Sequence, residues 1–162
     1  MDALSSRKHS RYTRLDLVCD VFSLVCVLVM FLLVALAWKQ LPAEIPTLYG
    51  FDGQPAGWGS RSTILMLPCM GLFLVVLLTV CRLLPARLYN YPVPVTADNE
   101  AALYALARDM LSVLKAASVL AFLPVVIFQL RGLPLYSWYQ LIFLLLFTVP
   151  VVFYIIRMVR CK

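Results

Sequence analysis

Charge is what this sequence has least of. Asp, Glu, Lys and Arg make up 14 % of its 162 residues and apolar residues 63 %, whereas a soluble domain is roughly a quarter charged and half apolar. That balance excludes an ordinary water-soluble globular domain. Histidine is scarcer still. His9 is the only one and lies in a basic tail, so Ser-His-Asp, Cys-His and histidine–metal arrangements lack an imidazole on a fixed scaffold. No Gly-Lys-Ser/Thr phosphate loop occurs. The cysteines, Cys19, Cys26, Cys69, Cys81 and Cys161, match no zinc spacing and lie in or beside apolar runs, where they read as small packing residues. The chain is therefore read as a non-enzyme with no metal and no cofactor.

What is present is four stretches without any charge, residues 21–38, 62–81, 116–130 and 132–156. A helix crossing about 30 Å of hydrocarbon needs about 20 mainly apolar residues. The expectation is one all-α membrane domain over residues 1–162, an antiparallel bundle of four transmembrane helices near 17–38, 62–84, 110–130 and 135–156. The first follows a basic tail and carries Ala35-Leu36-Ala37 like a cleavage site, but its apolar region exceeds the roughly 7–15 residues of a cleavable signal, so it is read as a retained anchor. Pro68 falls in the first turns of the second span, where a missing N–H costs least. The third must take Lys115 inside, and Pro124 is expected to kink it. Ser112 with Ala116 and Ala117 with Ala121 form small-xxx-small pairs that let helices approach closely.

Orientation follows from the basic residues. Eleven (four in the N-terminal tail, four between Arg82 and Lys115, and three at Arg157, Arg160 and Lys162) share one side, and Lys39, Arg61 and Arg131 lie on the other. The positive-inside rule then places both termini and the 85–110 loop in the cytoplasm. Trp38, Trp58, Tyr136, Trp138 and Tyr139 are expected at the outer interface. The net charge of +6 belongs to topology, and nucleic acid is not expected as a partner.

In the middle loop Pro85, Pro92 and Pro94 keep the chain extended, and Thr96 with Asp98 offers a helix N-cap. Leu103, Leu106, Ala107, Met110, Leu111 and Leu114 recur with helical period. An amphipathic cytoplasmic helix lying along the membrane and running into the third span is expected.

The outer loop is the most informative segment. Leu41-Pro42-Ala43-Glu44-Ile45-Pro46-Thr47 leads through Leu48-Tyr49-Gly50-Phe51 to Asp52-Gly53, a tight-turn signal. Gln54-Pro55-Ala56-Gly57-Trp58-Gly59-Ser60-Arg61 follows, and a short hairpin is predicted. The pattern L-P-x-x-I-P-T, then G-x-P-x-G-W-G-S-[KR], with Asn90-Tyr91-Pro92-Val93-Pro94-Val95-Thr96 further on, resembles the bacterial family called domain of unknown function 1648 over residues 17–115. That family includes the N-terminal region of SdpI-type immunity proteins. The resemblance implies protection of a producing cell from its own secreted toxic peptide, with relay to a cytoplasmic regulator. Two departures stand out: Leu48-Tyr49 replaces the family's frequent His-Phe, and Ala56 replaces an acidic residue. SdpI-type proteins are also longer.

Two residue groups are candidates. Glu44, Tyr49, Asp52, Trp58 and Arg61 could form an outer surface for an extracellular peptide or lipid headgroup, with Pro42, Pro46, Gly53, Gly57 and Gly59 fixing the backbone. Their structural reading has Asp52 making the turn, Ser60 capping the second span, Arg61 reaching headgroups and Glu44 pairing with Lys39 or Arg61. On the inner side Asp16 and Asp20, spaced i, i+4, share a helix face at the depth of Arg82 and Lys115. Ion pairing is the favoured role and a proton or ion relay the alternative. The functional expectation is a binding, immunity or sensor protein of the bacterial cytoplasmic membrane, in contact with the lipid bilayer. A small transporter or accessory subunit, or an outer-leaflet membrane enzyme, remain as alternatives.

Overall fold

The computed structural model describes residues 13–136 and 138–161; the basic tail with Arg7, Lys8, His9 and Arg11 lies outside the described residues. The elements run α1 (Arg14–Ala37), β1 (Glu44–Tyr49), β2 (Pro55–Ser60), a 3-10 turn (Arg61–Leu65), α2 (Met66–Arg82), a second 3-10 turn (Ala86–Leu88), α3 (Glu100–Arg131) and α4 (Trp138–Val159). Four helical stretches, with Arg61–Arg82 counted as one, are long and apolar enough to cross a membrane. The protein is mostly helical, and β1 and β2 form the two-stranded antiparallel hairpin.

Local chemistry explains the element ends. Thr13 caps α1: its Oγ1 accepts from the Asp16 N–H at 3.1 Å, and the Asp16 carboxylate accepts from the Thr13 N–H at 3.1 Å, a reciprocal capping box. Two free N–H groups are thus satisfied, and α1 starts before the expected Leu17. Gly132, with φ +61°, ends α3 by turning left-handed, and its N–H donates to the Gln129 carbonyl. α2 opens with Pro68 in its first turn, where no intrahelical donor is lost.

Helix α3 organises the molecule, since α1, α2 and α4 each pack chiefly on it. Val27, Met30 and Val34 of α1 meet Val119 and Val126 of α3, with Leu41, Ile45 and Ile64 closing the cluster at the hairpin end. Small side chains make this approach possible: Ser112, Ala117 and Ala121 are all buried along α3. The helix runs without interruption through Pro124.

Three expectations are corrected. The helix expected ahead of the third span does run into it, Glu100–Arg131 being one 32-residue helix, but its apolar stripe does not face outward. Its apolar stripe is covered by protein instead: Leu103 and Ala107 pack on Val93 of the preceding loop and Met158 of α4, with Tyr89, Tyr91, Leu106 and Cys161 around them. Thr96 and Asp98 do not cap it. Asn99 precedes the helix, and its side chain ties the approaching loop, accepting from the Thr96 N–H at 2.8 Å and donating to the Pro94 carbonyl at 3.1 Å. Tyr139 is not an exposed interfacial ring. It is buried, and its hydroxyl donates to the Ala121 carbonyl of α3.

The loop between α2 and α3 is held by phenols. Tyr89 donates to the Cys81 carbonyl at 2.8 Å, Tyr91 to that of Ala86 at 3.2 Å and Tyr104 to that of Leu84 at 3.0 Å. Burial pushes the Tyr89 phenol up to about 12, so it stays a donor at any ordinary pH.

Candidate functional site

The two ends of the helical body carry the two groups of candidate residues. At the hairpin end, β1 and β2 pair Glu44 with Ser60, Ile45 with Gly59, Pro46 with Trp58 and Tyr49 with Pro55. Asp52 makes the turn: its Oδ1 accepts from the Gln54 N–H at 3.0 Å, and Gly53 at φ +77° supplies the conformation a side chain would resist. Gly59 is needed for a different reason, because a Cβ there would stand 2.8 Å from Thr47 Cγ2 across the strands. Pro46 is fully buried opposite Trp58, while Pro42 is exposed ahead of β1 and Gly57 lies against Leu48.

The hairpin is tied to the helices along its length. Ile45 is buried in the main core. At the turn, the Leu135 N–H donates to the Gly53 carbonyl at 2.8 Å and Gln140 Nε2 to the Gly50 carbonyl at 2.7 Å. Tyr49 adds a longer contact from its hydroxyl to the Leu133 carbonyl at 3.5 Å, and burial raises its phenol above the usual range. At the base, the Arg61 N–H donates to the Ala43 carbonyl at 3.0 Å, and Ser60 caps the turn that leads into α2.

The five outer candidates do not converge. Glu44 and Arg61 are at the hairpin base, with the Arg61 guanidinium 5.4 Å from the Trp38 ring centre, whereas Asp52 is at the tip, about 16 Å further along at ~3.3 Å per strand residue. Glu44 forms no ion pair with Lys39 or Arg61. What the hairpin does present is apolar: Phe51 is 94 % exposed and Trp58 60 %, beside exposed Leu48. The Tyr136 and Trp138 rings, stacked at 5.6 Å, are exposed at the same end of α4. In the sequence Phe51 and Leu48 carry no signal beyond being large and apolar beside a turn.

The other end holds a buried ionic cluster joining three helices. Arg82 at the end of α2 meets Asp20 of α1 through two contacts, at 2.8 and 3.1 Å, and approaches Asp16 Oδ1 at 3.3 Å. From α3, Lys115 Nζ pairs with Asp20 and donates to Thr79 Oγ1 at 3.0 Å. Ser112 Oγ donates to Asp16 Oδ1 at 2.7 Å and accepts from Arg82 at 3.0 Å. Arg108 reaches Asp16 Oδ2 at 3.5 Å and lies 5.6 Å from the Tyr104 ring centre. The Asp16, Arg82 and Lys115 side chains are each only 1 % exposed. Arg108, Ser112 and Thr79 complete the cluster and were not singled out from the sequence as its members, although 108, 112 and 115 share a helical face.

Charges so enclosed are costly to desolvate and are kept by mutual pairing. Two carboxylates facing three cations and a hydroxyl form a clamp; they are not presented to a passing ligand. Among the described residues no group of three or more His, Cys, Asp or Glu could hold a metal ion. Cys19 and Cys26 are buried and all five cysteines are free.

No curated protein and no solved structure matches the chain. Residues 25–72 do match the family model described as domain of unknown function (DUF1648), a stretch that takes in the second half of α1, the whole hairpin and the start of α2, and leaves Asn90–Thr96 outside. The protein is thus similar to DUF1648 over residues 25–72 and has four helical stretches long and apolar enough to span a membrane.

Proposed function

We propose that this is a multi-pass binding or sensing component of the bacterial cytoplasmic membrane whose hairpin end recognises an extracellular peptide with apolar or aromatic side chains. The helices alternate in direction, with both termini and the α2–α3 loop inside. The observation that carries the reading is a hairpin tethered at base, middle and tip that nonetheless leaves Phe51 and Trp58 uncovered. A surface ordered in advance loses little entropy on binding, and aromatic side chains dominate binding energy. Immunity against a secreted peptide, with a cytoplasmic regulator as second partner, is the form that the family resemblance suggests. Transport is less favoured, because the charged side chains of α1, α2 and α3 are gathered and paired in the cluster at one end and not set around a midplane site such as a transporter uses. An outer-leaflet enzyme is less favoured because Glu44, Asp52 and Arg61 stand apart.

Two measurements test the reading. A membrane-impermeant maleimide should label a cysteine placed at Gln54 in intact cells but not one placed at Asn99; the reverse pattern overturns the orientation. In a strain whose survival or reporter output depends on the protein, Phe51→Ala and Trp58→Ala should abolish the response while expression and insertion persist. Glu44→Ala should be nearly silent, since an exposed carboxylate with no ion partner contributes little. Full responses from the alanine variants of Tyr49, Phe51, Asp52, Trp58 and Arg61 would leave the hairpin with an anchoring role only.

A further inference from the structure

Beside the ionic cluster, on the outside of the helical body, α1, α3 and α4 enclose a groove of about 500 Å³. Ala116 and Ala117 of α3 line it with small side chains, and Phe22 of α1 and Leu146, Val149 and Pro150 of α4 line it with larger ones. It lies within three of the four span-forming helices, so what reaches it in the membrane is an acyl chain or another helix.

Charge at its end distinguishes the two. Arg157 follows Leu146 by eleven residues and Pro150 by seven, which places it on the same face of α4 about 10 Å beyond the groove at 1.5 Å per residue. Arg160 follows Val149 by eleven, and its N–H still bonds to the Ile156 carbonyl at 3.1 Å, so the helical turn continues to it. Across the groove, Arg14, Val18 and Phe22 form one i, i+4, i+8 ridge of α1. All three arginines are exposed. Arg157 stacks 5.5 Å from the Phe153 ring centre. Among the described residues one acid, Asp109 of α3, is in electrostatic reach of Arg157 without forming an ion pair, against the three arginines named. A transmembrane helix of a second copy would bring Arg14, Arg157 and Arg160 of its own to this end or its apolar hairpin aromatics, and neither complements three cations. A phosphodiester does, and basic pockets between spans are known to hold anionic headgroups.

We infer that the groove between α1, α3 and α4 seats one acyl chain of an anionic phospholipid whose phosphate is held by Arg157, Arg160 and Arg14. This site is at the opposite end from the hairpin and does not depend on what the hairpin binds.

The test is native mass spectrometry of the full chain taken from vesicles of equimolar phosphatidylglycerol and phosphatidylcholine. One phosphatidylglycerol per chain should be retained with roughly 30- to 150-fold preference, the scale expected for two to three arginines at a headgroup. The double change Arg157→Gln with Arg160→Gln should remove most of that preference, leaving what Arg14 alone supplies. Val149→Trp should obstruct the groove and reduce retention of both lipids, with the thermal midpoint unchanged, since the position is exposed. Equal retention of the two lipids by the wild-type chain, or a preference indifferent to both arginines, would overturn the site. So would a disulfide-linked dimer formed at Val149→Cys in place of lipid retention, which would assign the groove to a second copy.

Discussion

Replacing Asp20 by alanine should lower the thermal midpoint of the detergent-solubilised protein by roughly 10 °C, corresponding to about 3 kcal/mol. The loss is large because Asp20 is the carboxylate that Lys115 and Arg82 share, so its removal leaves two enclosed cations with less compensation. Its own side chain is 20 % exposed, which keeps the expected cost at the lower end of the range for a broken buried pair. The double variant Asp20→Ala with Lys115→Met should recover at least about half of the loss, because one stranded charge is then gone and the methionine fills similar space. Asp20→Asn should fall between, keeping acceptor geometry without charge. Equal midpoints for Asp20→Ala and wild type would show that the cluster does not clamp α1 to α2 and α3, and the relay alternative would then need to be taken up.

The second large effect is expected at Ile45. This side chain is buried in the main core with Val34, Leu41, Ile64 and Val126, and it is the one apolar plug by which β1 enters that core. Ile45→Ala should cost about 2–4 kcal/mol, the usual range for deleting a buried branched side chain and leaving a cavity. The more telling readout is local. Amide exchange at residues 50–56 should accelerate in Ile45→Ala, because the tip contacts at Gly50 and Gly53 depend on the hairpin lying against α4. Ile45→Val, which loses one methylene, should cost about 1 kcal/mol and leave that exchange slow. A variant that loses stability while the hairpin stays protected would show that the tip tethers suffice. Exposed Phe51 and Trp58 would then remain preorganised without the plug.

Some of this was readable one residue at a time. Thr13-Arg14-Leu15-Asp16 ahead of an apolar run is a capping box in sequence form, so the start of α1 is legible there, ahead of the hydropathy boundary at Leu17. Asp52-Gly53 announced its turn because the backbone there needs a left-handed residue and a side-chain acceptor, both local requirements. Asp16 and Asp20 could be placed on one face by the helical repeat alone. Arg108 and Ser112 could not be joined to them, since that depends on which face of α3 turns toward α1. The stripe through Leu103 and Ala107 was equally ambiguous: an apolar stripe has the same period whether it rests on lipid or on Val93 and Met158. Tyr139 misled for a related reason, because an aromatic at a span end suits an interface until a backbone carbonyl on a neighbouring helix offers its hydroxyl a better acceptor.

By itself the sequence determined that the chain has four stretches able to span a membrane, a turn-rich hairpin between the first two, and a domain matching DUF1648. All three rest on composition and short-range geometry, which do not depend on what packs where. Tertiary structure decided the rest. It separated Glu44 and Arg61 from Asp52 by the length of a strand, left Phe51 uncovered, turned the start of α3 into protein core and gathered charges from α1, α2 and α3 into one enclosed cluster. The physical reason is that burying a charge or exposing an aromatic is a relation between elements distant in sequence, and only their packing sets its cost.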